Sequence, residues 1–183
     1  MKIDLGKGRL VGAVYRPSPY CDARPAGTAI SLLVIHGISL PPGEFGGPWI
    51  ERLFLGRLEA GAHAALADLV GLKVSAHILI RRNGKLIQFV PFKRRAWHAG
   101  TSVFQDRARC NDYSIGIELE GTDTSPYTDR QYVQLIALCR VLIRTFPAIV
   151  TDRIVGHCHI APDRKTDPGP SFDWHRLRSG LAI

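Results

Sequence analysis

The dipeptide Asn83-Gly84 lies between two apolar segments, and no other feature of this sequence restricts its fold as strongly. The segments are HILIRR, residues 77–82, and KLIQFV, residues 85–90. Both residues of an Asn-Gly pair accept positive φ angles, so the pair is the strongest short-range signal for a β-hairpin with a type I′ turn. The sequence therefore predicts an antiparallel strand pair over residues 77–90.

Two further apolar segments each end in a histidine. SLLVIH, residues 31–36, is followed by a glycine- and proline-rich stretch over residues 37–48. RIVGH, residues 153–157, is followed by a stretch rich in proline and charge. Short apolar runs bounded by turn residues indicate buried strands. We therefore expect His36 and His157 at strand ends, beside irregular loops.

The segment SIGIELE, residues 114–120, alternates strictly between apolar and other residues. Successive side chains of a strand point to opposite faces, so this pattern predicts a strand with one apolar face. Glu118 and Glu120 share the other face. That face therefore presents two carboxylates.

The clearest helix begins after Thr128, where Thr128 and Gln131 form the T-x-x-Q pattern of a capping box, and Pro147 ends it. Shorter helices are expected near residues 62–70 and 173–179. The length of 183 residues suits one domain, and the sequence contains no repeat or flexible linker. We predict a single α/β (mixed-sheet α+β) domain over residues 1–183, with a central mixed sheet flanked by helices and an active site at the strand ends.

Composition restricts the class of protein and its surroundings. The chain is 45% hydrophobic and 22% charged, which excludes wholesale disorder. No apolar run is long enough to span a bilayer, and the N-terminal residues do not resemble a signal peptide, so we expect a cytoplasmic protein that does not insert into membranes. The four cysteines form no C-x-x-C motif and are predicted to be reduced.

The charge balance favours an anionic partner. Lysine and arginine number 24 against 16 acidic residues, a net charge of +8, and residues 81–109 contain eight basic residues and the single acid Asp106. Nucleic acid, an acidic surface and a carboxylate-rich small substrate all fit this balance. A nucleic-acid binder is therefore one hypothesis, and its affinity should fall steeply with salt.

His36, His157 and Asp167 together suggest a metal site. Two imidazoles and one carboxylate are a common ligand set for catalytic zinc, which keeps a fourth position for water and lowers the pKa of that water to about 7. Glu118 would then act as the general base, and Lys165 would stabilise an oxyanion. His159 is an alternative ligand to Asp167, and Glu120 is an alternative base. His77 and His98 are expected to be structural or substrate-facing.

Four long stretches carry a resemblance that covers nearly the whole chain. They are VIHGISLPPGEFGG (34–47), VSAHILIRRNGKLIQFVPFKRRAWHAG (74–100), RCNDYSIGIELEG (109–121) and GHCHIAPDRKTDPGPSFDW (156–174). They closely resemble the bacterial N-acetylmuramoyl-L-alanine amidases of cell-wall recycling. The resemblance implies a zinc hydrolase that cleaves the amide between the lactyl group of 1,6-anhydro-N-acetylmuramic acid and L-alanine. It also implies a link to the control of β-lactamase expression.

The resemblance also implies a role for individual residues. It places the zinc ligands at His36, His157 and Asp167, the catalytic carboxylate at Glu118 rather than Glu120, and the transition-state lysine at Lys165. The muropeptide contacts it implies are Trp97, Arg109 and Lys73. The chain departs from the family at Gly37, where an asparagine is expected after the first ligand. A catalytically silent peptidoglycan-binding module of the same fold is the nearest rival hypothesis.

Overall fold

The computed structural model describes residues 1–182. Its strands, in chain order, are β1 (Ile3–Asp4), β2 (Arg9–Leu10), β3 (Val14–Tyr15), β4 (Cys21–Ala23), β5 (Leu32–Ile38), β6 (Ile78–Ile80), β7 (Leu86–Gln88), β8 (Arg94–Ala96), β9 (Val103–Phe104), β10 (Arg107–Ala108), β11 (Ser114–Glu120) and β12 (Ile154–Gly156). Its α-helices are α1 (Trp49–Phe54), α2 (Asp129–Thr145), α3 (His157–Ile160) and α4 (Trp174–Leu181). Short 3-10 helices cover Ala64–Leu69, Cys110–Asp112 and Thr151–Arg153.

The central sheet has six strands in the order β12-β5-β11-β6-β7-β3. Neighbouring strands are parallel except for β6 and β7, which pair antiparallel. The predicted mixed sheet flanked by helices is therefore confirmed. The strands predicted from residues 31–36, 114–120 and 153–157 are β5, β11 and β12, and the three lie side by side.

The predicted hairpin forms, but its turn differs from the prediction. Ile80 pairs with Leu86, the N–H of Arg81 donates to the carbonyl of Lys85 at 3.0 Å, and the N–H of Gly84 donates to the carbonyl of Arg81 at 2.8 Å. Gly84 has a φ of 83°, whereas Asn83 does not have a positive φ. The type I′ prediction was wrong because the loop has three residues, with one glycine in the left-handed region.

The helices follow the sequence signals at their capped ends. The side chain of Thr128 accepts the N–H of Gln131, and the capping box completes the start of α2 as predicted. The helix predicted near residues 173–179 is α4. The helix expected over residues 62–70 is a 3-10 helix. Two short helices were not predicted: α1 directly follows the glycine- and proline-rich stretch, and α3 lies where the sequence indicated an irregular loop. Each of these has six residues or fewer, too few for a clear periodic pattern.

The two faces of the sheet have different coverings, and this places the polar residues of β11. Alternate residues of β5 and β11, Leu33 and Ile117 among them, pack with α2 and α4 in the largest apolar cluster. Residues such as His36 and Glu118 therefore lie on the opposite face. No helix among the described residues is long and apolar enough to cross a membrane.

Candidate metal centre and active site

His36 and His157 reach the same edge of the sheet because β5 and β12 are parallel neighbours. Gly156, the last residue of β12, pairs with Ile35, so the next residue of each strand delivers an imidazole. Their Nδ1 atoms lie 3.0 Å apart. Asp167 comes from the loop after α3, which is tied back by the N–H of Cys158 donating to the carbonyl of Asp167 at 3.0 Å.

The carboxylate of Asp167 completes a compact group of three ligand atoms. Its Oδ2 atom lies 3.1 Å from Nδ1 of His36 and 3.2 Å from Nδ1 of His157. Both histidines are almost fully buried. Ligands of tetrahedral zinc with bond lengths of about 2.0–2.1 Å are separated by about 3.3 Å, so the three atoms have the spacing that zinc requires.

The outward nitrogens of both imidazoles have their own partners. Nε2 of His157 lies 3.2 Å from the carbonyl of Ala99, which can only accept, so Nδ1 is the nitrogen without a proton in the neutral ring. Nε2 of His36 lies 2.9 Å from Nδ1 of His98, and donation from His36 leaves its Nδ1 unprotonated as well. Such partners orient metal ligands.

The electrostatics of the group favour a cation. Burial lowers the pKa of His36 to about 4, although Asp167 opposes the shift, so the ring is neutral at pH 7. Burial acts to raise the pKa of Asp167, but the imidazoles of His157 and His36, which lie against its carboxylate, outweigh that effect and hold the pKa well below its usual range. Two nitrogen lone pairs and one carboxylate thus converge, and these residues fit a zinc ion.

Glu118 lies beside this group with one free oxygen. It pairs with His36 across the parallel strands β11 and β5, so the two side chains share one face of the sheet. Its Oε2 atom is buried and has no hydrogen-bond partner. Burial raises the pKa of Glu118 well above its ordinary value, the Asp167 carboxylate adds to that shift, and the charge of Lys165 opposes it. The carboxylate is therefore placed and tuned to hold a proton.

A cavity of about 210 Å³ opens over these residues, and both Lys165 and Trp97 border it. One wall is apolar and is formed by β5, α1 and the segment before β6; its residues are Ile38, Leu40, Leu53, Phe54, Leu69, Leu72 and Val74. The lining also includes the polar groups of His36, Glu118, His157 and Asp167. An apolar pocket with a few convergent polar groups is typical of a small-molecule site.

Comparison with known proteins identifies the family. The sequence profile of the N-acetylmuramoyl-L-alanine amidase family matches residues 26–170. The chain is 61% identical over 177 residues to the 1,6-anhydro-N-acetylmuramyl-L-alanine amidase AmpD of Salmonella typhimurium (strain SL1344), covering 97% of this chain and 94% of the relative. It is 60% identical over 174 residues to AmpD of Escherichia coli (strain K12), covering 95% and 94%. The chain belongs to the N-acetylmuramoyl-L-alanine amidase family.

Solved structures agree with this amidase assignment. A crystal structure of a selenomethionine AmpD derivative superposes with a TM-score of 0.95 at 58% identity and covers all of both chains. The amidase AmiD of E. coli, solved in complex with the substrate anhydro-N-acetylmuramic acid-L-Ala-D-gamma-Glu-L-Lys, gives a TM-score of 0.61 at 31% identity, covering 86% of this chain and 60% of that one. The predicted resemblance is therefore confirmed.

The three residues predicted to contact a muropeptide occupy different positions in the amidase. Trp97 borders the cavity, and its ring stacks on Tyr20 with centroids 6.1 Å apart. Lys73 is exposed between Leu72 and Val74, which line the cavity. Arg109 is not among the lining residues; its side chain is 72% exposed and forms an ion pair with Asp112 at 3.2 Å. The structure thus brings Trp97 into the site and leaves the two cations outside the cavity.

The alternative residues of the amidase have other partners. His159 does not join the ligand group, because α3 turns it away from His157 and its Nδ1 accepts the N–H of Gly156 at 2.9 Å. The carboxylate of Glu120 accepts hydrogen bonds from Arg81 and from the N–H of Gly46, both at 2.7 Å. Neither side chain is available to the reacting centre.

His98 is the residue whose contribution the sequence did not resolve. Its imidazole bridges Nε2 of His36 and the hydroxyl of Ser114, and it lies over Gly116 of β11, where any Cβ would overlap the ring. Glycine inside a strand marks a close approach of this kind. Gly116, in the middle of SIGIELE, was therefore the one sequence signal that a side chain packs closely against β11.

Proposed function

We propose that this amidase hydrolyses the bond between 1,6-anhydro-N-acetylmuramic acid and L-alanine with one zinc ion held by His36, His157 and Asp167. The observation that carries the proposal is the convergence of three ligand atoms beside the unpartnered Oε2 of Glu118. The names of the relatives support the substrate class, since those that match over nearly their whole length are 1,6-anhydro-N-acetylmuramyl-L-alanine amidases.

The metal, when bound, supplies an acidified water and polarises the scissile carbonyl. Glu118 takes the proton of the attacking water on Oε2, and its raised pKa allows it to keep that proton until the amide nitrogen leaves. The protonated carboxyl then donates to the L-alanine nitrogen. Lys165 also borders the cavity and contributes a positive charge, which stabilises the oxygen that becomes negative.

The remaining predicted contacts concern the substrate. Trp97 offers an apolar ring for the sugar or the lactyl group, while Arg109 and Lys73 lie outside the cavity and suit the carboxylates of the stem peptide. A net charge of +8 favours such an anionic substrate. The basic run of residues 81–109 is partly occupied internally, since Arg81 pairs with Glu120 and Arg95 pairs with Asp22 and Asp112. This occupation favours the small anionic substrate over nucleic acid.

The proposal includes a cytoplasmic role in the recycling of cell-wall fragments. The four cysteines, Cys21, Cys110, Cys139 and Cys158, are free thiols in the structure. Reduced thiols are usual in the cytoplasm. Fractionation of cells with an antibody to the untagged protein would test the compartment.

The decisive experiment combines metal analysis of the purified protein with mass spectrometry of an anhydromuropeptide digest. We expect one zinc per chain and release of a free peptide that begins with L-alanine. The His157→Ala variant should lose both zinc and product. A protein that binds the muropeptide but leaves it intact would instead be the silent binding module, and a protein without zinc that still releases product would contradict the metal assignment.

A further inference from the structure

Tyr127 lies between β5, which carries His36, and the loop that carries Asp167. Its phenol is 5% exposed, and its hydroxyl sits next to Gly37, the residue after His36 on β5. A Cβ at position 37 would overlap that hydroxyl. Tyr127 therefore occupies the space that the side chain of the asparagine expected at position 37 would fill.

The same hydroxyl is bonded to the loop that carries the third ligand. It donates to the carbonyl of Pro168 at 2.9 Å, and Pro168 directly follows Asp167. Burial raises the pKa of Tyr127, and the carboxylates of Glu118 and Asp167 add to the shift, so the phenol remains a neutral donor at pH 7. The hydrogen bond thus ties the Asp167 loop to Tyr127, whose hydroxyl also lies against Gly37 of β5.

The position of the ring is prepared by its neighbours. Its edge lies over Gly121, the residue after β11, where a Cβ would overlap the ring. Its other side packs on Phe172 with centroids 5.6 Å apart, at 72° between the planes. The ring therefore has few alternative positions, and its hydroxyl can define the distance between Gly37 and Pro168.

We propose that Tyr127 is a positioning residue, which holds the Asp167 loop at the distance from His36 that the metal requires, and that Gly37 is needed to admit its hydroxyl. This inference rests on the proposed zinc site. Side chains that orient ligands from outside the coordination sphere change metal affinity by about 10- to 100-fold when they are removed. Tyr127 would act in this way through the backbone of Pro168 rather than through the ligand itself.

The first test is the Tyr127→Phe variant, which removes the hydroxyl and keeps the ring. We expect zinc affinity, measured by competition with a chromogenic chelator, to fall about tenfold. The visible absorption of the cobalt-substituted protein should also change, because the ligand geometry relaxes. Wild-type zinc affinity and cobalt spectrum in the variant would overturn the inference.

Tyr132→Phe is the matched control. Tyr132 is also buried and also packs on Phe172, but its hydroxyl accepts the N–H of Asp173, away from the ligands. This variant should lose stability in urea and keep the zinc affinity of the wild type. Equal weakening of zinc binding in both variants would show that general destabilisation is the cause and would contradict the inference.

Gly37→Ala tests the same contact from the other side. The added methyl group should displace the hydroxyl and weaken zinc binding by a similar factor. In the Tyr127→Phe background the same methyl should cost little, because the nearest remaining ring atom, Cζ, is at an ordinary contact distance of 3.6 Å. Additive losses in the double variant would refute the coupling, whereas a wild-type protein that binds no zinc would refute the proposed function itself.

Discussion

Glu118 and Glu120 stand two residues apart on one face of β11, and their neighbours give the two carboxylates different chemistry. Both carboxylate oxygens of Glu120 accept hydrogen bonds, from Arg81 and from backbone N–H groups. Glu118 has an unpartnered oxygen in a buried position near Asp167, which favours its protonated form. At the scale of the residue, function follows from what each carboxylate contacts.

The Glu118→Gln variant should bind zinc as the wild type does and lose turnover. Removing a general base typically costs about 10²- to 10⁴-fold in rate, and we expect kcat to fall within that range. Steady-state kinetics with parallel metal analysis would measure both quantities. The Glu120→Gln control should lower the urea midpoint, because Arg81 loses its buried partner, yet retain most of kcat. Full turnover in Glu118→Gln would contradict the base assignment.

The Lys165→Ala variant should lower kcat with a smaller effect on KM, because the charge acts mainly on the oxyanion. Loss of one such donor typically costs about 10²- to 10³-fold. The exposed Lys93, changed to alanine, provides a control of equal charge. If both variants reduce kcat/KM equally, and only through KM, then Lys165 contributes to substrate attraction rather than to the reaction.

At the scale of the element, Thr128 at the start of α2 both caps the helix and attaches it to the β6-β7 hairpin. Thr128 caps the helix by accepting the N–H of Gln131 at 3.2 Å, and its hydroxyl donates to the carbonyl of Arg82 at 2.7 Å. The second bond attaches the helix to the β6-β7 loop. Local capping and tertiary contact therefore support each other at this point.

Thr128→Ala should accordingly destabilise the protein by about 1 kcal/mol or somewhat more, the usual cost of a lost cap plus a hydrogen bond. Urea denaturation would measure the change in the free energy of unfolding. The exposed Thr124→Ala variant should remain within experimental error of the wild type. kcat/KM should be unaffected in both, since neither residue lines the cavity.

At the scale of the whole molecule, buried neutral histidines make stability depend on pH. His77 is fully buried; its Nδ1 accepts the N–H of Gly116 at 3.0 Å, and its Nε2 donates to the carbonyl of Arg94 at 3.1 Å. Burial lowers the pKa of His77 to about 3, and the nearby charge of Arg24 acts in the same direction. A second proton on this ring would find no acceptor at Nδ1.

Below about pH 6.5, the unfolded chain therefore binds a proton at His77 that the folded protein does not bind. The stability linked to this residue is complete above about pH 6.5 and is lost as pH falls toward about 3, with a slope of up to about 1.4 kcal/mol per pH unit. Urea titrations of metal-free protein between these pH values should show a shallower slope for His77→Gln. The exposed His175→Gln variant should keep the wild-type slope, and a wild-type slope in His77→Gln would contradict the linkage.

The local elements with strong signals could be predicted from the sequence. The alternation in SIGIELE placed β11 at its observed bounds, and the capping box placed the start of α2. The turn at Asn83-Gly84 was less predictable, since its residues allow two loop lengths. The carbonyl of Arg82 in this turn accepts a hydrogen bond from Thr128, a tertiary contact that the local sequence does not show. The short helices α1 and α3 lacked a periodic signal because they span only one or two turns.

The sequence by itself determined the types of the candidate metal ligands, the strand ends that carry two of them and the family, because these depend on residue identity and short-range pattern. Only the tertiary structure decided which carboxylate remains free, how His98 supports His36 and why Tyr127 faces a glycine. The pairs His36 with His157 and Tyr127 with Pro168 join residues 121 and 41 positions apart. Contacts at such separations depend on strand order and packing, which no local pattern specifies.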